Sequence, residues 1–390
     1  MITVSEALSR ILDLAATMPP ETVPIASAAG RVLADSVRAR RDQPPFRTSA
    51  MDGYAVRGED AVAGTELRVI GTSAAGHGFS GAVGAGEAIR IFTGAPVPAG
   101  ADRVVIQEDV TRDGNLVTLR GELDSSTHVR PVGSDFRVGT EITAPRRLRP
   151  SDLALLASMN VDRVAVAKRP TVALISTGDE LVMPGGTPGP DQIVASNAFG
   201  LKAMLEDQGA RARILPIARD DVACLRTAFE LAEGADLVVT IGGASVGDHD
   251  LVASVTEELG MELSFLKIAM RPGKPVMAGR LPGHAMIGLP GNPVSSLVCC
   301  HVFMLPLIRA MLGLERGPAQ RYRAPLSRGI GPNGPREHYM RARLSGDGIA
   351  PFDRQDSGLL TVLGQANALL IRPVGDGPRE AGESVDYIPI

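Results

Sequence analysis

Acidic and glycine-rich segments follow two predicted strands of the chain. Ser176–Leu181 comes after an apolar run, and its adjacent carboxylates Asp179 and Glu180 could hold a hard cation. Gly242–Asp250 follows another apolar run, and its three glycines and serine supply backbone N–H groups suited to an oxyanion. The first segment could equally be a helix cap, and the second a glycine turn with a capping Asp. The sequence contains neither a Walker A loop nor a G-x-G-x-x-G run after a strand.

Two further segments combine stiff turns with positive charge or with a helix start. Lys267–Pro275 places three cations beside proline and glycine, which favours phosphate or another oxyanion, although a solvated basic loop is the alternative. The three cations are Lys267, Arg271 and Lys274. Gly288–Ser296 joins a strand to a long apolar helix, and Pro293 suits the first helical position. The helix N-terminus would then face a ligand, unless the turn is purely structural.

The elements that must position these segments alternate in type. From Thr171 to about Leu314, apolar strands alternate with helices predicted near 197–208, 221–233 and 250–259. Strands buried on both faces with intervening helices indicate a parallel, doubly wound α/β sheet. Ligands of such sheets collect at the carboxyl ends of the strands. We therefore expect the four segments to converge on a site for a polyphosphate-type ligand plus a divalent metal, a pattern that does not by itself name a reaction.

The rest of the chain predicts further domains around this sheet. Thr3 and Glu6 have the spacing of a capping box, and Pro150 opens a second helix. Short β-rich runs follow residue 40, with a hairpin turn at Asp113–Asn115. We predict a helical linker domain (1–40 plus 137–168), an inserted β-rich domain (41–136), the α/β domain (169–316) and a C-terminal β-barrel-like domain (317–390).

Composition argues against several classes of protein. The 390 residues carry a net charge of −4 and no Trp, so a surface that grips nucleic acid or stacks bases is not expected. Three cysteines without a C-x-x-C spacing predict neither a disulfide framework nor a zinc site, and they favour a reducing cytoplasm. No signal peptide is visible. The most apolar run, 294–312, includes polar residues and a proline, and is predicted to be a buried helix, not a membrane span.

Seven motifs occur along the chain in the order of one known family. They are Ser49–Ala55, Phe92–Pro96 with Gly100–Asp102, Gly133–Asp135, Thr177–Leu181, Gly242–Asp250, Arg271–Pro275 and Pro290–Ser296. On these motifs essentially the whole sequence resembles the molybdopterin molybdenumtransferases, the MoeA type that includes the gephyrin E domain. The resemblance implies that adenylylated molybdopterin and molybdate bind and that a magnesium-type cation assists. It further implies that the adenylate is hydrolysed, giving AMP, as molybdenum joins the dithiolene of the pterin.

The resemblance also implies an assembly and partners. Its members form a homodimer in which the Ser49–Ala55 loop and the β insertion of one subunit complete the cleft of the other. Transient contacts with other enzymes of molybdenum cofactor synthesis are expected, and neither nucleic acid nor a membrane is expected as a partner.

Matched by position, the resemblance implies a set of functional residues. The candidate catalytic residues are Asp52, Thr93, Glu180, Asp220 and Asp250, of which Glu180, Asp220 and Asp250 would hold the metal. The candidate substrate-binding residues are Arg130, Asp135, Gly242, Gly243, Ser245, Gly247, Lys267, Arg271, Lys274, Pro290, Gly291, Pro293 and Ser357. Arg271 stands where the family commonly has Lys, and its planar fork addresses an oxyanion differently from an ammonium group. Ala244 replaces a larger aliphatic residue. Without the resemblance, Asp52, Thr93 and Asp220 would be ordinary turn and cap residues.

The expected reaction depends on one spatial condition. Cationic side chains should attract the molybdate dianion, and a divalent cation on the carboxylates should offset their repulsion. For this, Asp52, Thr93, Glu180 and Asp250 must gather around a single crevice. Two alternatives remain: a nucleotidyltransferase that makes the adenylate from ATP instead of consuming it, and a non-catalytic scaffold built on the same dimer.

Overall fold

The first helix buries one apolar face, formed by Val4, Ala7, Leu8 and Ile11, and a polar residue sets its start. A computed structural model describes residues 1–243 and 251–390. As predicted, Thr3 caps the first helix, because its hydroxyl accepts a hydrogen bond from the backbone N–H of Glu6 at 3.1 Å. The helices in the described ranges are α1 (Val4–Asp13), α2 (Pro150–Ser158), α3 (Asn197–Asp207), α4 (Val222–Leu231), α5 (Leu251–Glu258), α6 (Pro293–Cys299), α7 (Leu305–Met311) and α8 (Leu360–Leu363).

The strands fall into three stretches of the chain. Before residue 170 they are β1 (Pro20–Pro24), β2 (Val32–Leu33), β3 (Val37–Arg38), β4 (Thr48–Ser49), β5 (Gly53–Val56), β6 (Glu66–Ser73), β7 (Glu87–Ile91), β8 (Arg103–Ile106), β9 (Val110–Asp113), β10 (Leu116–Leu119), β11 (Val129–Arg130), β12 (Glu141–Ile142), β13 (Arg146–Arg147) and β14 (Arg163–Ala167). The next stretch contains β15 (Thr171–Ser176), β16 (Leu181–Val182), β17 (Ile193–Val194), β18 (Arg211–Ile214), β19 (Leu237–Ile241), β20 (Glu262–Phe265), β21 (Met270–Arg271), β22 (Met277–Leu281) and β23 (His284–Leu289). The last contains β24 (Tyr322–Pro325), β25 (Glu337–Ser345), β26 (Gly348–Pro351), β27 (Ala368–Arg372) and β28 (Ser384–Pro389).

The chain divides into two compact units. The first, here called the α/β unit, comprises Met1–Glu21, Gly30–Ala34 and Val166–Ile390. The second, here called the inserted unit, comprises Thr22–Ala29 and Asp35–Ala165. The finer division into four domains remains a prediction.

A six-stranded sheet organises the α/β unit. Its order is β18-β15-β19-β23-β22-β20, and the first four strands run parallel. Helices α3, α6 and α7 pack on one face, and α4 and α5 on the other, which is the predicted doubly wound arrangement. Strand β22 was not predicted. It runs antiparallel to β23, because the tight turn at Pro282–Gly283 returns the chain directly beside it.

The C-terminal β-strands close on themselves. They have the order β25-β27-β28-β24, β26 pairs with β25, and a bridge between Leu326 and Ile349 joins the two ends. This is the predicted barrel-like arrangement. Strand β21 adds to it through parallel pairing with β25, which places Arg271 opposite His338.

The predicted apolar helix lies in the core of the α/β unit. It consists of α6, a π-helical segment over Cys300–Met304, and α7. Within the described residues, Pro293–Met311 is the one helix long and apolar enough to cross a membrane, but 78% of its most apolar window is buried inside the protein. The segment therefore packs as a core helix, as its polar residues and Pro306 indicated.

The inserted unit contains a second six-stranded sheet. Its order is β8-β5-β7-β6-β10-β9, and β6 and β7 run parallel while the other neighbours run antiparallel. The predicted hairpin joins β9 to β10, with Gly114 at a positive φ of 58°. This sheet brings the loops before β5 and after β7 to one end, because β5 pairs Gly53 with Ile91 of β7.

Candidate functional site

A cavity opens where the parallel strands of the α/β unit end. It has a volume of about 790 Å³ and lies beyond β15, β19 and β23, where open α/β sheets bind ligands. The predicted site residues that line it are Glu180, Asp220, Gly242, Gly243, Pro290, Gly291 and Pro293. All four segments singled out in the sequence therefore contribute to one pocket, the cationic segment only through Pro275.

Backbone conformation shapes the floor of this pocket. Gly242 has a φ of 96°, and a Cβ atom there would lie 2.8 Å from the carbonyl oxygen of Thr177. Gly243 has a φ of 68°, and Gly178, on the neighbouring turn, a φ of 144°. Side chains strongly disfavour these conformations, so glycine is required for the two turns to approach each other.

Thr177 presents a buried hydroxyl to the same pocket. The residue is 3% exposed, and its Oγ1 has no hydrogen-bond partner within residues 1–243 and 251–390. A buried hydroxyl without a partner costs free energy, so a bound ligand that hydrogen-bonds to it would gain affinity. The sequence motif included Thr177, but nothing in the pattern distinguished it from its neighbours.

Two carboxylates stand at the exposed mouth of the pocket. Glu180 and Asp220 both line it, and the backbone N–H of Asp220 donates to Asp179 Oδ1 at 3.4 Å. Mg²⁺ is commonly held by one or two carboxylates together with substrate phosphates, and this donor set fits such an ion. Asp250, the third predicted ligand, lies outside the described residues, as do Ser245 and Gly247. Among the described residues, no group of three His, Cys, Asp or Glu side chains is placed to hold a metal.

The turn before α6 is held from two sides. The Asn197 side-chain amide donates to the carbonyl oxygen of Gly291 at 2.7 Å. The backbone N–H of Val294 donates to the carbonyl oxygen of Ser357 at 3.0 Å. Pro293 occupies the first helical position, as predicted. Ser357 thus reaches the pocket's helix through its backbone.

One predicted cation, Arg271, lies beside a second feature, a buried cationic cluster that sequence reasoning missed. Arg341, on β25, is fully buried and donates to the carbonyl oxygen of Asp356 at 3.0 Å. Its Nε and Nη1 atoms have no hydrogen-bond partner in the described part of the chain. Arg271 is exposed and faces the cluster, and its charge lowers the pKa of Arg341 in addition to burial. Two unused donors on a buried guanidinium suit an oxyanion.

His338 belongs to this cationic cluster and is neutral at physiological pH. Burial, followed by the charge of Arg271, lowers the pKa of His338 to about 3. Lys267 and Lys274 are half-buried on the segment that contains Arg271, and neither is among the residues lining the pocket described above. The signal that could have found the cluster is the run of basic residues within a strand pattern, Arg336 to Arg343.

In the inserted unit the structure brings Asp52 and Thr93 together. The backbone N–H and the hydroxyl of Thr93 donate to Asp52 Oδ1 at 2.7 and 2.8 Å. These two bonds, in that order, and then the charge of Arg90, hold the pKa of Asp52 below its ordinary value. Asp52 is therefore an ionised hydrogen-bond acceptor at neutral pH.

Arg130 and Asp135 lie elsewhere in the inserted unit. Arg130 is on β11, opposite Thr48 of β4, and the backbone N–H of Asp135 donates to the carbonyl oxygen of Gln43 at 3.0 Å. Both side chains are exposed. Asp52 and Thr93 belong to the inserted unit and Glu180 to the α/β unit, so their meeting in a common crevice remains a prediction.

Comparison with known proteins gives the family. Residues 2–160 match the MoeA N-terminal region (domains I and II), residues 173–310 a probable molybdopterin binding domain, and residues 323–390 the MoeA C-terminal region (domain IV). A molybdopterin molybdenumtransferase of Nostoc sp. is 35% identical over 381 residues, which is 94% of this chain and 87% of the relative. One from Haemophilus influenzae is 37% identical over 320 residues, which is 81% of this chain and 79% of the relative.

Solved structures agree over the full length. Two crystal structures of the molybdopterin biosynthesis MoeA protein from Pyrococcus horikoshii match with TM-scores of 0.85 and 0.83, at 32% and 28% identity. The matches cover 100% of this chain and 99% and 100% of those chains. The chain therefore belongs to the MoeA family.

Proposed function

We propose that this protein is a molybdopterin molybdenumtransferase, which inserts molybdenum from molybdate into adenylylated molybdopterin and releases AMP. The observation that carries the proposal is the pairing of two ligand environments in the α/β unit. One is a pocket of about 790 Å³ with acidic groups at its mouth, and the other is a buried guanidinium with unused donors. A phosphorylated pterin and a tetrahedral oxyanion have these complementary requirements. Relatives named for this activity cover nearly the whole chain.

The pocket suits the phosphorylated end of the pterin substrate. Glycines at positive φ allow a ligand to approach the backbone at Gly242 and Gly243, and the Thr177 hydroxyl supplies a polar atom at the floor. Apolar Leu181 and Ile193 line one side of the cavity. These residues would bind and orient the substrate.

Magnesium is proposed as the metal at the mouth of this pocket. Glu180 and Asp220 would hold the ion with oxygens of the substrate phosphates, and Asp250 would complete the set. When bound, the ion supplies charge neutralisation at the phosphoanhydride. Replacing Glu180 by Gln should raise the magnesium concentration needed for half-maximal AMP release. An unchanged requirement would remove Glu180 from the metal site.

Molybdate is proposed to occupy the cationic cluster. Arg341 on β25 offers two unused donors, and Arg271 on the neighbouring strand β21 adds a planar guanidinium. Lys274, three residues after Arg271, would contribute a compact positive charge. Because His338 is neutral, a ring N–H can donate a hydrogen bond to the oxyanion without adding charge. Without a bound cation, the carboxylates at the pocket mouth would repel the dianion from that position.

Asp52 and Thr93 are proposed to act on the phosphoanhydride. Both Thr93 bonds go to Oδ1, so among the described residues Oδ2 is available to orient a water molecule or substrate hydroxyl. An ionised carboxylate in this position can accept a proton as the bond to the adenylate breaks. Asp52→Ala or Glu180→Ala should leave a folded protein that binds the adenylylated pterin but releases no AMP when molybdate is added.

A homodimer in a reducing cytoplasm is part of the proposal. Phe46, Met51 and Phe92 expose 44%, 41% and 39% of their surface on the inserted unit, near Asp52 and Thr93 in the sequence, which favours a partner surface there. The three cysteines are free thiols, as a reducing compartment would keep them. Transient contacts with other enzymes of cofactor synthesis would deliver the substrate and collect the product.

The reaction is tested by mass spectrometry of the pterin. The adenylylated pterin is incubated with the protein, molybdate and magnesium, and the expected products are the molybdenum-bearing pterin and AMP. A second incubation with ATP and bare molybdopterin should yield no adenylate. Formation of the adenylate would instead identify a nucleotidyltransferase, and failure of both reactions would leave a scaffold.

The shared crevice is tested with mixed dimers. By the proposal, Asp52→Ala and Glu180→Ala subunits are each inactive alone. If one site takes Asp52 from one subunit and Glu180 from the other, a mixed dimer contains one intact site. Equal mixing after reversible dissociation should restore about a quarter of the wild-type activity, because half of the dimers are mixed. Activity no higher than that of the parents would contradict the arrangement.

A further inference from the structure

Arg90 lies between two aromatic rings in the inserted unit. It is on β7, and its guanidinium carbon is 5.2 Å from the ring centroid of Tyr54 and 4.8 Å from that of Phe92. Each distance is within the range of a cation–π interaction. The rings therefore keep the guanidinium plane in one place between β5 and the loop that follows β7.

The same guanidinium makes two hydrogen bonds to neutral oxygens. Nη1 donates to the carbonyl oxygen of Gly53 at 3.0 Å, and Nη2 donates to Oε1 of Gln107 at 2.6 Å. The backbone N–H of Gln107 in turn donates to the carbonyl oxygen of Asp52 at 3.1 Å. Neither of these bonds of Arg90 neutralises its charge.

These contacts fall on both sides of the Asp52–Thr93 pair. Gly53 directly follows Asp52, and Phe92 directly precedes Thr93. One guanidinium therefore contacts the neighbour of each member of the pair, through a hydrogen bond on one side and an aromatic ring on the other. The positive charge also acts on the Asp52 carboxylate, since Arg90 contributes to lowering its pKa.

We propose that Arg90 is a positioning residue, which holds the backbone of Asp52 and the loop of Thr93 at the separation that their two hydrogen bonds require. The inference rests on the proposed function, in which Asp52 and Thr93 act in the reaction. Lysine could not replace arginine here. An ammonium group has no planar face to pack against two aromatic rings, and it cannot donate to two separated oxygens from fixed positions.

The experiment compares variants of the full chain. Arg90→Gln removes charge and fork, and Arg90→Lys keeps the charge alone. Arg68→Gln is the matched control, because Arg68 lies on β6 of the same sheet and its side chain, 67% exposed, pairs with Glu87. Each variant is also made in the Asp52→Asn background. Thermal unfolding verifies that each one folds, and if Arg90→Gln does not, Arg90→Lys carries the comparison.

Two readouts report on position. The first is AMP release, for which Arg90→Gln should lower kcat by roughly 10- to 100-fold, with a smaller change in KM for the adenylylated pterin. Arg90→Lys should recover only part of the loss. In the Asp52→Asn background, Arg90→Gln should lower the residual rate little further, because both changes disable the same pair. The second readout is the Thr93 amide resonance in protein labelled with ¹⁵N-threonine, which should move in both Arg90 variants and not in Arg68→Gln.

The outcomes separate this inference from the proposed function. An unmoved Thr93 resonance, full recovery of kcat by Arg90→Lys, or an equal loss from Arg90→Gln in the Asp52→Asn background would each overturn the positioning role. Wild-type turnover by Asp52→Asn alone would instead remove Asp52 from the reaction. In that case the Thr93 resonance alone decides whether Arg90 holds the pair.

Discussion

The pocket and the cationic cluster of the α/β unit differ in what forms them: the pocket is shaped by the backbone and the cluster by side chains. Backbone turns shape the pocket, where Gly242 and Gly243 admit no side chain. Buried side chains shape the cluster, where Arg341 on β25 is fully buried with two donors unused. Adding a small side chain should therefore disrupt the pocket, and removing a large side chain should abolish oxyanion binding at the cluster.

The largest effect is expected from replacing Arg341 by Met. Without an oxyanion, the unfolding free energy should stay near the wild-type value, because the change removes a buried charge that lacks full compensation. At a molybdate concentration a hundredfold above the Kd, the unfolding free energy of the wild type should rise by about 2.7 kcal/mol, and that of the variant should not change. Thermal unfolding with and without molybdate measures both.

The matched control for this experiment is Arg343→Met on the same strand. Arg343 is exposed and donates to the carbonyl oxygen of Gln365, so its loss should leave the molybdate effect intact. Equal stabilisation of the Arg341 and Arg343 variants by molybdate would show that the buried cluster is not the oxyanion site.

Adding one methyl group to the pocket gives the next largest effect. Gly242→Ala places a Cβ 2.8 Å from a backbone oxygen at a φ of 96°, and should lower the unfolding free energy by about 1–3 kcal/mol. Gly291→Ala is the matched control in the same pocket, because the nearest atom to its Cβ would be 3.5 Å away. The unfolding free energy of Gly291→Ala should stay within about 0.5 kcal/mol of the wild-type value. Urea unfolding followed by circular dichroism distinguishes the two, and similar losses would contradict a pocket built by backbone strain.

The difference between the two regions also explains what could be predicted from sequence. Strands β15, β19 and β23 are continuous apolar runs, and glycine or proline turns follow each of them, so the pocket's residues were found where the topology rule places them. Arg341 was missed because its setting depends on β21 pairing with a strand far along the chain. The local sequence pattern around Arg341 does not indicate that pairing.

The inserted unit shows the same limit. The runs that form β6, β7 and β8 were found from their composition, but the contact between Asp52 and Thr93 needs the β5–β7 register. Only the family resemblance joined these two residues beforehand. The roles of the candidate residues remain predictions, and Ser245, Gly247 and Asp250 lie outside the described ranges.

The Asp52–Thr93 pair extends the comparison to a site in which a backbone N–H and a hydroxyl both donate to one carboxylate. Thr93→Val removes the hydroxyl bond and keeps the backbone bond, which lowers the pKa of Asp52 more, so this pKa should rise only part of the way to its ordinary value. A depressed carboxyl pKa contributes stability above the unfolded-state pKa and loses it as pH falls through the folded-state pKa. Because Asp52 with a raised pKa is protonated at a higher pH, the acid limb of the pH profile of kcat should also move to higher pH. Thr118→Val on β10 serves as the control, and coincident acid limbs would exclude the hydroxyl.

The smallest effect is expected where the two regions meet, at Asp356 and Ser357. The carbonyl oxygen of Asp356 accepts from Arg341, and that of Ser357 accepts from Val294 at the start of α6. Both links use backbone atoms, so Ser357→Ala should change the unfolding free energy by less than about 0.5 kcal/mol. If the hydroxyl itself binds substrate, the same variant should raise KM for molybdate or for the adenylylated pterin while stability holds. Unchanged kinetics would show that Ser357 acts through its carbonyl alone, and a large loss of stability would show that this junction depends on side chains after all.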